Sequence, residues 1–152
     1  MAGADPTNHV AVAVQPFTDN WDNDGPYQLA TYTADTSGNL TTSSTYANMP
    51  KVAVGNISDY RISPNGKFLA VCGTSGLQAF RFRGAGPITK YSGRLITKAV
   101  DAVYWDNDHL YAISRMDGKL YVFTVNSTGV TQAPGSPHSI ITPVSIIVLP
   151  RT

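Results

Sequence analysis

The sequence predicts an all-β protein built from consecutive four-stranded antiparallel sheets. Three observations predict this fold class: a composition without glutamate, a repeated pattern of hairpins, and short apolar runs separated by turn residues. All ten acidic residues of the 152-residue chain are aspartates, and glutamate is the acidic residue that favours helices. The chain is rich in Thr, Val and Tyr, which favour strands, and holds 13 Gly and 10 Pro for turns.

The first half of the repeat relates residues 59–71 to residues 101–113, which align without a gap at an offset of 42. Each segment has the pattern of a short strand, a polar turn and a second apolar strand. The turns are Ser63–Gly66 and Asp106–Asp108, whose residue types fix φ or tolerate positive φ. The pattern predicts two equivalent hairpins.

The second half of the repeat continues at an offset of 43, where Leu77–Phe82 matches Leu120–Val125 as a third strand. Thr- and Ser-containing fourth strands are expected near residues 87–91 and 130–133, as suits a solvated edge. Each unit therefore has four strands in about 42 residues, which is the length and strand count of a β-propeller blade. A β-sandwich of similar strand count is the alternative, but a sandwich does not require this repeat.

The N-terminal part of the chain is a third copy that lacks its beginning. His9–Val14, Leu29–Thr33 and Leu40–Tyr46 are predicted as its second, third and fourth strands, with an insertion at residues 16–25. At the other end of the chain, residues 143–149 align with the first strands of the other two copies. The strand order therefore predicts three blades, the first of which is split between the two termini.

These boundaries predict one half-propeller unit over residues 1–152. Blade 1 takes residues 9–46 together with residues 143–149 of a partner chain, blade 2 takes residues 58–91, and blade 3 takes residues 100–133. Three blades are too few to close a ring, because propellers have four to eight. Two copies would supply six.

We therefore expect a homodimer with twofold symmetry that forms a six-bladed ring by exchanging the C-terminal strand. The alternative is that the chain belongs to a larger natural ring, alone or paired with another fragment. The expected interface consists of apolar residues from the exchanged strand and from the second strand of blade 1: Val144, Ile146, Ile147, Val148, Val10, Val12 and Val14.

The hairpin at Ile62-Ser-Pro-Asn-Gly-Lys-Phe-Leu-Ala-Val71 resembles the repeat signature of lactonase-like propellers, the 6-phosphogluconolactonase and YVTN-repeat type. The segments at residues 32–41 and 123–131 and the exit Ala133–Pro137 resemble the same family. The resemblance covers most of the chain and implies the C-terminal half of a bacterial, often exported, propeller. Lactonases of this family are associated with a cleft of His, Arg and Glu, and this chain has no Glu.

Two groups of aspartates are candidate ligand sites. Asp59 and Asp101 are aligned at first strands, which line the central channel of a propeller, and could hold a cation or polar ligand or simply be hydrogen-bonded loop ends. Asp22 and Asp24, before Gly25, resemble half of a calcium loop, but Thr31 stands where the bidentate acid belongs. We expect no cofactor, with Ca²⁺ as the one candidate, and the insertion as a polar loop that could contact a ligand.

The remaining sequence features exclude several classes of function. A net charge of +1 with dispersed arginines predicts no nucleic-acid partner. The longest apolar runs are too short for a membrane helix, and no secretory signal precedes the repeat. No nucleophile motif is present.

We therefore expect a self-assembling propeller fragment without catalysis. The alternatives are lactone hydrolysis, which the resemblance implies, and small-ligand binding at the channel mouth. The compartment is left open.

Overall fold

A computed structural model of the chain describes residues 2–4, 7–16 and 25–149. This described part contains thirteen strands and no helix. The strands form three antiparallel sheets that follow one another along the chain, two with four strands and the third with five. The prediction of an all-β chain of antiparallel sheets is confirmed.

The strand boundaries are as follows. The first sheet contains β1 (Ala2–Ala4), β2 (His9–Val14), β3 (Gln28–Ala34) and β4 (Leu40–Thr41). The second sheet contains β5 (Ile57–Ile62), β6 (Phe68–Gly73), β7 (Gly76–Arg83) and β8 (Gly86–Ile96). The third sheet contains β9 (Ala102–Trp105), β10 (His109–Ser114), β11 (Lys119–Val125) and β12 (Val130–Gln132), and β13 (His138–Ser139) also pairs with β11.

The turn between β5 and β6 shows why its residue types form a hairpin. The Ser63 hydroxyl accepts a hydrogen bond from the Phe68 amide at 3.0 Å, and the Ser63 carbonyl accepts one from Gly66 at 2.8 Å. Gly66 has a φ of 69°, in the left-handed region that glycine adopts without steric cost. This turn reverses the chain in a few residues and lets β6 pair directly with β5.

The second sheet lies between the other two, and β6 contributes to a separate core on each face. Leu69 and Val71 belong to the core shared with the first sheet, together with Ala11 and Leu29. The alternate residues of β6, with Phe68 among them, belong to the core shared with the third sheet. A strand with both faces covered reads as a continuous apolar run, which explains the sequence of this segment.

The strand register corrects the ungapped alignment of the second and third sheets. Ile62 is opposite Leu69 in the second sheet, whereas Trp105 is opposite Leu110 in the third, so the third sheet has the shorter turn by two residues. The alignment at an offset of 42 placed Leu69 with Tyr111, but it is Leu110 that packs into the core facing the preceding sheet. A shift of one residue reverses the face of a strand, so this error exchanged inner and outer positions.

One polar contact recurs in all three sheets and was not predicted from the sequence. A backbone amide of the third strand donates to a serine hydroxyl 13 or 14 residues further on: Thr31 to Ser44 at 2.9 Å, Ala79 to Ser92 at 3.0 Å, and Val122 to Ser136 at 2.9 Å. In each case the hydroxyl satisfies an amide that the short or irregular fourth strand leaves without a carbonyl partner.

Replacing one of these serines should destabilise its sheet. In Ser92→Ala the part-buried amide of Ala79 loses its acceptor, and we expect the free energy of unfolding to fall by about 1–3 kcal/mol. Urea titration followed by circular dichroism measures the change. The matched control is Ser58→Ala, at an exposed position of β5, which should stay within about 0.5 kcal/mol of the parent chain. Equal losses in the two variants would contradict this role of Ser92.

Candidate functional site

The outer face of the third sheet, which points away from the second sheet, is one of two open faces at the ends of the stack. Val103, Trp105 and Leu110 face the second sheet and are buried. Their neighbours Tyr104 and Tyr111 are opposite each other in the register, point the other way and are half-buried. This outer face is therefore apolar and aromatic, and no further sheet of the described chain covers it.

The end of the C-terminal segment, which we take as residues 140–149, lies next to this face. Its residues form no strand within the single chain. Val148 and Leu149 line a cleft of about 440 Å³ together with Tyr104 and Tyr111. The segment is itself poorly covered, since Val144, Ile147 and Leu149 are 71%, 77% and 80% exposed. Several apolar side chains of the segment therefore have no packing partner within the described part of the chain.

The end of the segment lies next to the first strand of the third sheet, β9. In the described stack, β9 contacts both β5 and β6 of the preceding sheet. The Trp105 indole donates to the Arg61 carbonyl at 2.9 Å and stacks on Phe68 with ring centroids 6.3 Å apart. The end of the C-terminal segment lines its cleft together with Tyr104 and Trp105 of β9 and Tyr111 of β10.

The second open face is on the first sheet. Ala11 and Ala13 of β2 pack toward the second sheet, so the alternate residues Val10, Val12 and Val14 point outward, where all three are half-buried. The residues expected at an interface therefore lie on the outer face of the first sheet and in the segment that covers the third. These two regions are at opposite ends of the stack.

The first sheet has a strand that was not predicted. β1 pairs antiparallel with β2, with Ala2 opposite Val12 and Ala4 opposite Val10. It occupies the edge of β2 that the sequence analysis reserved for residues 143–149 of a partner chain. The sequence analysis predicted no strand before His9.

The two aspartates proposed for the channel differ in their surroundings. Asp59 lies within β5, and its carboxylate accepts hydrogen bonds from Arg61 Nε at 3.3 Å and from the Val103 amide of the third sheet at 3.2 Å. Asp101 precedes β9, and its carboxylate accepts from the Arg115 amide at 2.6 Å. Both carboxylates therefore accept hydrogen bonds from backbone amides. The corrected register places Ala102, not Asp101, at the position equivalent to Asp59.

The calcium-like loop with Asp22 and Asp24 lies outside the described residues. Within the described residues, no group of three or more His, Cys or Asp side chains could hold a metal ion. The same part of the chain has no helix long and apolar enough to cross a membrane.

The single cysteine, Cys72, is fully buried between the second and third sheets, and burial raises the pKa of its thiol to about 12. A thiol with that pKa is unreactive at neutral pH.

Asp106 stands at the rim of the cleft under the C-terminal segment and fixes the turn between β9 and β10. One carboxylate oxygen accepts from the amides of Asp108 at 2.8 Å and His109 at 2.6 Å, and the other accepts from the Tyr111 hydroxyl at 2.8 Å. Partial burial works to raise the pKa of Asp106, but these hydrogen bonds outweigh it and hold the pKa below the ordinary 3.8. The carboxylate thus orients Tyr111 on the open face.

Comparison with models of known protein families, with curated proteins and with solved structures found no match for this chain. The resemblance to lactonase-like propellers therefore stays an expectation from the repeat residues. The two open faces and the C-terminal segment are therefore the structural features from which a function is inferred.

The hydrogen bonds of Asp106 predict a pH-dependent contribution to stability. Since its pKa is lower in the folded chain, the contribution is complete above the unfolded value near 3.8 and disappears as the pH falls through the lowered folded value. We expect Asp106→Asn to cost about 1–2 kcal/mol at pH 7, and the difference from the parent chain to shrink below about pH 4.

Urea unfolding at a series of pH values measures this difference. The matched control is Asp108→Asn in the same turn, because the Asp108 carboxylate accepts no hydrogen bond from the described residues. A cost for Asp106→Asn that is the same at pH 3 and pH 7 would contradict the assignment.

Proposed function

We propose that this chain is a self-assembling half of a β-propeller, in which two copies form a closed six-bladed ring. Each of the three sheets is one blade, and residues 143–149 of each copy pair with β2 of the other. The observation that carries the proposal is that the end of the C-terminal segment, Val148 and Leu149, lines a cleft with Tyr104 and Tyr111 on the outer face of the last sheet.

The two ends of the stack support a second copy as the missing partner. The inner gaps between sheets are filled by apolar side chains from both neighbours. At the ends, the outward valines of β2 and the tyrosines of the third sheet have the same apolar character without a neighbouring sheet. Placing the first sheet of one copy on the third sheet of the other covers both faces at once. Twofold symmetry then makes the two contacts identical and closes the assembly.

The exposed side chains of the C-terminal segment fit the same arrangement. As a strand of the partner's first sheet, the segment would have one face on the third sheet of its own chain and the other on the second sheet of the partner, so Val144, Ile147 and Leu149 would be covered. Covering one such side chain contributes roughly 1.5–3 kcal/mol. The proposed exchange also pairs the backbone of the segment, which forms no strand within the single chain. A ring whose main property is assembly needs no catalytic group.

The first test is the mass in solution together with substitutions at the proposed contact. We expect light scattering to give twice the 16.3 kDa of the chain. Ile147→Asp and Val12→Asp each place a charge in the apolar contact and should raise the dissociation constant about a hundredfold or more. Met116→Asp is the control, since Met116 is 84% exposed in a turn away from both faces, and it should leave the mass unchanged.

A folded chain that remains monomeric at high concentration would contradict the proposal, as would dimerisation that Ile147→Asp and Met116→Asp affect equally. Circular dichroism of each variant separates loss of assembly from loss of folding.

The position of β1 generates a second test. β1 and the partner's residues 143–149 are proposed to use the same edge of β2, so they compete. Deleting residues 2–6 should therefore tighten the dimer, and we expect the dissociation constant to fall about tenfold, the equivalent of losing a short competing strand. Sedimentation over a concentration series measures it. A second variant, Gly3→Pro, keeps the segment but removes a backbone hydrogen-bond donor from β1, and it should lower the dissociation constant as well. A dimer that is weaker without residues 2–6 would show that β1 belongs to the assembled form.

A further inference from the structure

The second and third sheets enclose a cleft of about 430 Å³ that is separate from both open faces. Its floor is apolar, formed by Phe68 and Val125, which are both buried in the core between these two sheets. Its walls are the turn regions of the two sheets. The volume is in the range of sites that hold small organic ligands.

Three cations line the wall that belongs to the second sheet: Lys67, Arg81 and Arg83. None of them forms an ion pair with an acid of the described chain. Lys67 and Arg83 are exposed. The one acid in the cleft is Asp108, on the opposite wall. Three positive charges against one negative charge create a local positive potential in a chain that is otherwise almost neutral.

Arg81 is held in place before any ligand arrives. Its guanidinium lies over the Tyr91 ring, 4.5 Å from the centroid, and its Nη2 donates to the Ser127 carbonyl at 3.0 Å. The Tyr91 hydroxyl in turn donates to the Asn126 carbonyl of the third sheet. A guanidinium has five N–H donors, and Ser127 uses one of them. A fixed Arg loses less entropy on binding an oxyanion than a free one does.

Two asparagines add donors to the cleft. The Asn65 side-chain oxygen accepts from the Ser63 hydroxyl and the Lys67 amide, at 2.7 and 3.0 Å. The Asn126 oxygen accepts from the Thr128 amide at 2.9 Å and from the Gly129 amide at 3.2 Å. Because the turns engage both amide oxygens, the amide NH₂ groups are the ends that stay available. None of these NH₂ groups donates to another described residue.

We propose that this cleft binds a small organic oxyanion, a phosphate monoester or a carboxylate, with the anionic group against the wall of Lys67, Arg81 and Arg83. Charge-assisted hydrogen bonds from these groups hold the anion. The buried side chains of Phe68 and Val125 accept the body of the ligand. The site lies between two sheets of one chain, so it does not depend on the proposed assembly.

The test is a titration with inorganic phosphate and with glycerol 3-phosphate, each at constant ionic strength, with glycerol as the uncharged comparison. We expect saturable binding with a dissociation constant in the millimolar range. Amide NMR signals of residues 65–67 and 126–127 should shift, and glycerol should leave them in place.

Charge substitutions of opposite sign make the test specific. Lys67→Gln combined with Arg83→Gln should weaken phosphate binding about tenfold or more. Asp108→Asn should tighten it, because this variant removes the one negative charge of the cleft. Lys51→Gln is the matched control, an exposed lysine on the far side of the stack, and should leave the dissociation constant unchanged.

The proposal is overturned if phosphate does not saturate any signal by about 50 mM, a level at which a millimolar site would be occupied. It is also overturned if the double variant binds as the parent chain does, or if Asp108→Asn weakens binding. Since Asp108→Asn alters one exposed turn residue, its result stands even if the double variant fails to fold.

Discussion

The structure depends on one constraint: each face of a sheet that carries apolar side chains must be covered. In β6 every residue is buried, and its side chains alternate between two cores, one with each neighbouring sheet. The transfer of these side chains out of water holds the stack together. Polar contacts fix the distance between sheets, such as the Tyr60 hydroxyl on the Ala11 carbonyl and the Trp105 indole on the Arg61 carbonyl.

The same constraint is not met at the two ends of the stack. The outer face of the third sheet uses the C-terminal segment as a partial cover, and that segment leaves its own apolar side chains in solvent. The outer face of the first sheet presents the alternate valines of β2, and β1 protects only its edge. Exposed apolar surface of this kind at both ends, on a chain that repeats one unit, is what a second copy would cover.

Much of this architecture could be predicted from the sequence, because the turns and apolar runs are local signals. The strands β2, β3, β7, β10 and β11 agree with the predicted segments to within one or two residues. The facing of the strands could not be predicted, since the turns of the second and third sheets differ by two residues and an ungapped alignment averages the two offsets. That error also made Asp59 and Asp101 look equivalent.

Other features were missed for different physical reasons. The serines that bond the third strands stand in irregular segments, where hydroxyl residues are abundant and only a spacing of 13 or 14 residues distinguishes Ser44, Ser92 and Ser136. The cleft with Lys67, Arg81 and Arg83 brings together residues from turns and strand ends of two sheets. These charges are dispersed along the sequence, so the cleft becomes visible only in the folded structure.

The two proposals use separate parts of the molecule. Assembly uses the outer faces of the first and third sheets, whereas the oxyanion cleft lies between the second and third sheets. The most direct test of assembly is isotope-filtered NMR on a mixture of labelled and unlabelled chains. We predict contacts between chains that join the methyl groups on one face of the exchanged strand, either Ile146 with Val144 and Val148 or Ile147 with Leu149, to those of Val10, Val12 and Val14. A mixture that shows contacts only within a chain would contradict it.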